Sequence, residues 1–255
     1  MLTLPISHWD TGRVVKKQQR GECFRAILVM DFEATCARNV RVRCPEIIEF
    51  PSVLLDARSL QKLDDFWEFV KPVEQLFPTL SPGRLTKFCT QLTHIRQDQV
   101  DDADVLPVVL QKFQTWIDQC GFSNNEVLPI TCGDWDLKTM LPKECARKKL
   151  HVPEVLRKWC NIKELFEETI GIKAVDITTM LGALGLSFSG HLHSGMDDSR
   201  NIVRVVQQLS AICNVDCYSS NHCMQHWKTP VHVCWQEHAK RLRSWQCQNR
   251  YQHTA

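Results

Sequence analysis

The stretch AILVMDFEAT, residues 26–35, decides the fold. Five aliphatic or thioether side chains in a row, bounded by polar residues, form a buried strand, and Asp31 and Glu33 follow on the strand's own alternation. That alternation puts Ile27, Val29, Asp31 and Glu33 on one face, with the two carboxylates about 7 Å apart along the chain. A second anomaly lies near the other end of the sequence. In HSGMDDSRNI, residues 193–202, a helical period aligns Asp198 with Ile202, Val205, Val206 and Leu209, so an acid heads an apolar stripe that should face the core. Buried carboxylates cost several kcal/mol each unless they are paired or bind metal, and no Lys or Arg shares these faces. Divalent metal is the arrangement that relieves them.

A fourth acid belongs with these, Asp136 in CGDWDLKTMLP (residues 132–142), shortly after the strand-like run 127–132. With these residues in view, the chain resembles the DEDDh 3′-to-5′ exonucleases and, within them, the Eri1-like exoribonucleases. The resemblance runs from about Arg25 to Leu209. It is carried by DFEATC (31–36), PEIIEFP (45–51), FVKP (69–72), LTKFCTQLTHI (85–95), the Asp136 block, and the His193–Asp198 block with its spacing of five. One Asp-x-Glu would mean little; the ordered blocks together are specific.

The resemblance implies an α/β, ribonuclease H-like fold with a mixed central sheet flanked by helices. It also implies Mg²⁺-dependent release of nucleoside 5′-monophosphates from RNA 3′ ends by two-metal hydrolysis, with Mn²⁺ able to substitute. Hard carboxylate oxygens suit both ions. By the same resemblance Asp31, Glu33, Asp136 and Asp198 are the metal ligands, His193 is the general base, and Glu33 also meets the substrate's 3′ end. Histidine is the side chain that exchanges a proton near neutral pH. Ala34, Thr35, Leu92 and Thr93 match the segments that line the terminal nucleotide in the family. At position 94, where relatives usually carry Gly, this chain has His94. Trp135 has two readings, stacking on a base or packing beside a buried strand end. Asp134 is expected to cap the helix that opens there, and Asp197 to cap or support Asp198. His191, seven residues before Asp198, receives no role. The same metal core would accept DNA, and a catalytically silent RNA-binding module is the competing reading of another class.

At 255 residues the chain suits one exonuclease domain, 26–210, with a 1–25 extension and a 211–255 tail. The flanks each carry five Lys/Arg against two acids, which leaves the middle at −4 within an overall +2. Two divalent ions would neutralise that middle, so its acidity does not argue against a polyanionic substrate. There are 13 cysteines, an odd number, and Cys36, Cys89 and Cys132 fall in core-like segments. Together with the lack of a secretory leader pattern, this predicts free thiols in a cytoplasmic or nuclear protein. No apolar run reaches the length of a membrane span. Ten of the 23 Cys and His residues crowd into residues 211–255 without a standard zinc spacing, so a loosely packed accessory tail is expected ahead of a zinc module.

Expected elements are strands at 26–32, 47–55, 66–70 and 127–132. Helices are expected near 85–89, 105–120, 136–150, 154–159, 163–169, 176–184 and 196–213.

Overall fold

The computed structural model describes residues 24–213. The 1–25 extension, apart from its last two residues, and nearly all of the 211–255 tail lie outside the described residues, as does any metal the tail would bind.

The chain runs as β1 (Ala26–Met30), β2 (Glu33–Ala34), β3 (Ile47–Asp56), β4 (Lys62–Lys71), α1 (Lys87–Thr93), α2 (Gln97–Asp101), β5 (Asp104–Val105) and α3 (Leu106–Gln119). There follow β6 (Val127–Thr131), a π-helical segment (Trp135–Met140), α4 (Leu141–Lys148), a 3₁₀ turn (Glu154–Arg157), β7 (Cys160–Asn161), α5 (Ile162–Ile170), α6 (Ile177–Ala183) and α7 (Gly195–Cys213). The sheet order is β5-β4-β3-β1-β6-β7, with β2 also on β3. The β1–β3–β4 meander is antiparallel. Strand β6 joins β1 in parallel, as a strand arriving by a helical crossover does. This is the expected mixed sheet.

Strand β1 is buried on both faces, which is why its sequence is unbroken apolar. Ile27 and Val29 join a core with α5, α6 and α7, through Phe166, Met180, Ile202 and Val206. Ala26, Leu28 and Met30 face the other core, built on Phe50, Phe113 and Leu141. Three features differ from expectation. The first strand ends at Met30, because Pro51 of β3 stands opposite Asp31 and has no N–H to extend the ladder. Pairing resumes at Glu33, opposite Glu49, in the same register. The helix expected over 136–150 begins as a π-helical segment and becomes α-helical only at Leu141. The two-residue strands β5 and β7 and the five-residue α2 are too short to carry a periodic signal.

Phe32 is the anchor that orients the acids beside it. It is buried, its ring centroid 4.5 Å from that of Phe50, which in turn lies 5.1 Å from Phe113. With Phe32 fixed in the aromatic core, alternation sends Asp31 and Glu33 to the opposite side.

A buried ion cluster ties α4 to the sheet. Lys148 Nζ lies 2.6 Å from both Glu46 Oε1 and Glu144 Oε1. Glu144 accepts the Ile47 N–H at 2.8 Å, and Glu46 accepts the N–H groups of Val73 and Glu74 at 2.9 and 2.7 Å. Removing the cation leaves two buried carboxylates uncompensated. Lys148→Met should therefore cost about 3–5 kcal/mol, seen as a melting temperature lowered by about 2–4 °C per kcal/mol. A melt within one degree of wild type would show that the cluster is not held this tightly.

Candidate active site

Three sheet and helix ends deliver the acids to one place. Asp31 and Glu33 come from the break between β1 and β2, Asp136 from the segment after β6, and Asp198 from the first turn of α7. Asp136 and Asp198 are each only 3% exposed. Oxygens of Glu33 and Asp198 and a ring nitrogen of His193 lie within 4.8 Å of one another. Asp31 is coupled electrostatically to Asp136, Asp198 and Glu33. Glu33, His193 and Asp198 thus come together, with Asp31 near enough to Asp136, Asp198 and Glu33 to feel their charge.

The electrostatics are those of crowded carboxylates. Burial, then repulsion from Asp136, Asp198 and Glu33, holds the Asp31 carboxyl well above the usual range. Burial and then Glu49 push Glu33 up to about 9. Burial lifts Asp198 to about 7 and Asp136 to about 6, opposed at Asp136 by the Phe32 N–H, which donates to its Oδ1 at 2.9 Å. Asp198 Oδ1 is buried with no hydrogen-bond partner, an orphaned acceptor in a place where a cation would satisfy it. The four carboxylates are hard oxygen donors of the kind that fits Mg²⁺ or Mn²⁺.

Glu49 is a residue that sequence reasoning missed as part of the site. It is 1% exposed, lies on β3 opposite Glu33, and accepts from Gly195 N–H (2.9 Å), Met196 N–H (3.3 Å) and Trp67 Nε1 (2.7 Å). Its carboxylate meets the first amide groups of α7, where orphan donors and the helix dipole favour a negative charge. Gly195 is required there: a Cβ would come within 2.5 Å of the Asp31 carbonyl oxygen and 3.1 Å of Glu49 Oε2. The available signal was an acid inside the otherwise apolar run IIEFPSVLL.

His193 is exposed and adopts a left-handed φ of 64° in the loop before α7. That loop is braced by Asp197, which accepts the His191 N–H at 2.9 Å and pairs with Arg200. Asp197 therefore braces this loop. Asp134 stands at the start of the π-helical segment but makes no side-chain cap bond; its carboxylate accepts from Trp159 Nε1 (3.1 Å) and Lys138 Nζ (2.9 Å). The capping expectation for Asp134 is thus corrected: Lys138 and the Trp159 indole draw its side chain outward. The packing reading of Trp135 is corrected too, since it is 46% exposed.

Ala34 and Thr35 are buried beside Glu33, and Thr35 Oγ1 accepts the Glu46 N–H at 2.9 Å. Leu92 is half-buried at the end of α1, whereas the Thr93 hydroxyl is turned back onto the Cys89 carbonyl at 2.9 Å. His94 takes the left-handed conformation (φ 61°) that Gly would occupy freely, and its ring lies 5.2 Å from that of His191. The described cysteines are free thiols, as expected.

The raised carboxyls set a pH dependence for the metal-free protein. The folded state holds protons that the unfolded chain has released, so the cluster's contribution is complete below about pH 4. It is lost as pH rises through about 7 for Asp198 and about 9 for Glu33. Metal-free protein should melt at lower temperature at pH 8.5 than at pH 5.5. Asp198→Asn should raise the melting temperature at pH 8.5 by several degrees and add less at pH 5.5. A melting temperature that rises with pH in EDTA would contradict the cluster's sign.

Comparison with known proteins places this geometry. The exonuclease family profile matches residues 28–206. The rat 3′-5′ exoribonuclease 1 is 36% identical over 187 residues, covering 72% of this chain and 52% of the relative. Zebrafish ERI1 exoribonuclease 2 is 37% identical over 201 residues, covering 73% and 35%. The chain thus spans about a third to a half of the length of these relatives. Among solved structures, the nuclease domain of 3′hExo, a DEDDh family member bound to rAMP, is 34% identical with a TM-score of 0.68, covering 74% of this chain and 92% of that one. A 3′-exonuclease that recognises the histone mRNA stem-loop is 32% identical with a TM-score of 0.68, covering 74% and 83%. With a matching profile over most of its length and these neighbours, the chain belongs to the exonuclease family, alongside the ERI1-type exoribonucleases and the DEDDh nucleases.

Proposed function

We propose that the protein is a divalent-metal-dependent 3′-to-5′ exoribonuclease that releases nucleoside 5′-monophosphates. The observation that carries this reading is the convergence of Glu33, His193 and Asp198 within 4.8 Å, with Asp31 and Asp136 in electrostatic contact and an orphaned Asp198 oxygen among them. Asp31, Glu33, Asp136 and Asp198 would hold two Mg²⁺ ions. When bound, such ions polarise the phosphoryl oxygens, ease the ionisation of water and stabilise the leaving oxygen.

The chain's own residues supply the rest. His193 takes the proton from the attacking water at a ring nitrogen, and its exposed loop position lets that proton pass on to solvent. Glu33 would also accept a hydrogen bond from the substrate's terminal 3′-hydroxyl. Ala34 brings a small side chain against the nucleotide sugar. Leu92 supplies an apolar wall for the last base. Glu49 and Gly195 fix the start of α7, so that His193 and Asp198 keep their mutual geometry. RNA as substrate follows from the relatives' activities; phosphate chemistry alone would admit DNA.

The test uses 5′-labelled RNA and DNA oligomers of one sequence, with Mg²⁺ or with EDTA. Ladders shortening from the 3′ end in Mg²⁺, absent in EDTA and faster on RNA, are expected. Replacing Asp31, Glu33, Asp136 or Asp198 singly by Ala should abolish them, and Asp134→Ala should act more mildly. His193→Ala should lower turnover about 10²-fold, and His191→Ala far less. Full activity in Asp136→Ala, or a larger loss in His191→Ala than in His193→Ala, would overturn the assignments.

A further inference from the structure

Beside the acidic cluster lies a groove of opposite character, about 290 Å³ in volume. Its lining includes Thr35, two residues after Glu33 in the chain, and Trp135, immediately before Asp136, so it shares two short segments with the acids. One wall is the loop between β2 and β3, with Arg41 and Arg43. The other is the face of the π-helical segment and α4 that carries Thr139, Lys143 and Arg147 at helical spacing of four.

The cations here divide by what they already do. Arg147 is committed to structure: it donates to the Pro45 carbonyl at 2.6 Å and pairs with Glu74. Arg38, in the same loop, lies over the Phe88 ring at 5.3 Å. Arg41, Arg43 and Lys143 are exposed and make no ion pair among the described residues. Elsewhere on the domain, Arg25, Arg84, Arg96, Lys112 and Arg157 are each paired with an acid. Three uncommitted cations thus line the two sides of one groove that also carries an exposed indole, that of Trp135.

We propose that this groove is a single-strand clamp for the substrate upstream of the scissile bond, with backbone phosphates held by Arg41, Arg43 and Lys143. This rests on the exonuclease reading above and extends it to the nucleotides that are not yet being cleaved. The volume is near the lower limit of ligand clefts, roughly 300 Å³. That is space on the scale of a nucleotide unit of one strand. Phosphate contacts position a strand without reading its sequence, and an exposed indole adds stacking that any base can use. The clamp therefore suits an enzyme that must hold a strand of any sequence while its 3′ end is consumed.

The experiment measures binding of fluorescent single-stranded RNA octamer and dinucleotide to the full chain in Ca²⁺, from about 50 to 300 mM KCl. The variant is Arg41→Ala/Arg43→Ala/Lys143→Ala, all exposed positions. The control is Arg58→Ala, an exposed arginine beyond the end of β3 remote from Glu49. The triple variant should weaken octamer binding at least about tenfold and flatten the log-log salt slope by about 0.7 for each phosphate no longer neutralised. Dinucleotide binding should stay within about twofold, and in Mg²⁺ the loss should appear in KM for the octamer with kcat retained. Equal affinity and slope for the triple variant and the control would overturn the clamp, as would a wild-type chain that does not bind the octamer. Groove-dependent binding without any trimming would support the clamp and refute the exonuclease reading alone.

Discussion

The fold is organised around a repulsion. Asp31, Glu33, Asp136 and Asp198 are brought from separate elements into a largely water-excluded space, where each raises the proton affinity of another. Among the described residues no cation forms an ion pair with them. Lys148, the buried cation nearby in sequence to Asp136, is engaged by Glu46 and Glu144 instead. Lys163 eases the repulsion at Asp136 from a distance, while its ammonium donates to the Val175 carbonyl at 2.7 Å. Such an arrangement costs stability in the metal-free chain and is tolerable because the rest of the domain holds it in place. Divalent cations bound there, as proposed above, would relieve it.

Two devices hold it. Phe32, locked against Phe50 in the aromatic core, fixes the chain between Asp31 and Glu33 from one side of the sheet, and its amide meets Asp136. Glu49 fixes α7 from the other. Burial raises the Glu49 carboxyl, yet three donors oppose that shift, Gly195, Trp67 and Met196, so the cost of enclosing the acid is partly returned in hydrogen bonds that set where the helix begins. The close approach of Gly195 to Asp31 then brings the β1 end and the α7 start together.

Charge is partitioned over the surface in a way that serves one polarity of substrate. The acids cluster without a cation paired to them among the described residues, while Arg41, Arg43 and Lys143 line one groove without acidic partners among those residues. On the proposed reading, a polyanion would meet divalent ions at its end and fixed cations along its length. A formal −4 on residues 26–210 conceals this division, because net charge sums over a field whose local sign is what a strand encounters.

Much of this was legible in the chain itself. The unbroken AILVM run and the apolar stripe headed by Asp198 reveal a buried strand and a buried helix face. Acids at Asp31, Glu33, Asp136 and Asp198 stand out because they interrupt patterns that burial should keep apolar. Tertiary structure alone decided what depends on partners distant in sequence. Pro51 ends β1 by lying opposite Asp31, and Asp134 turns toward Trp159 instead of capping its own segment. Trp135 faces solvent although Asp136 beside it is buried. Glu49 looked like one more polar residue in a strand until α7 arrived, 146 positions later, to donate its first amide. Local period encodes which face is buried; only three-dimensional closure decides which donor, ring or charge that face will meet.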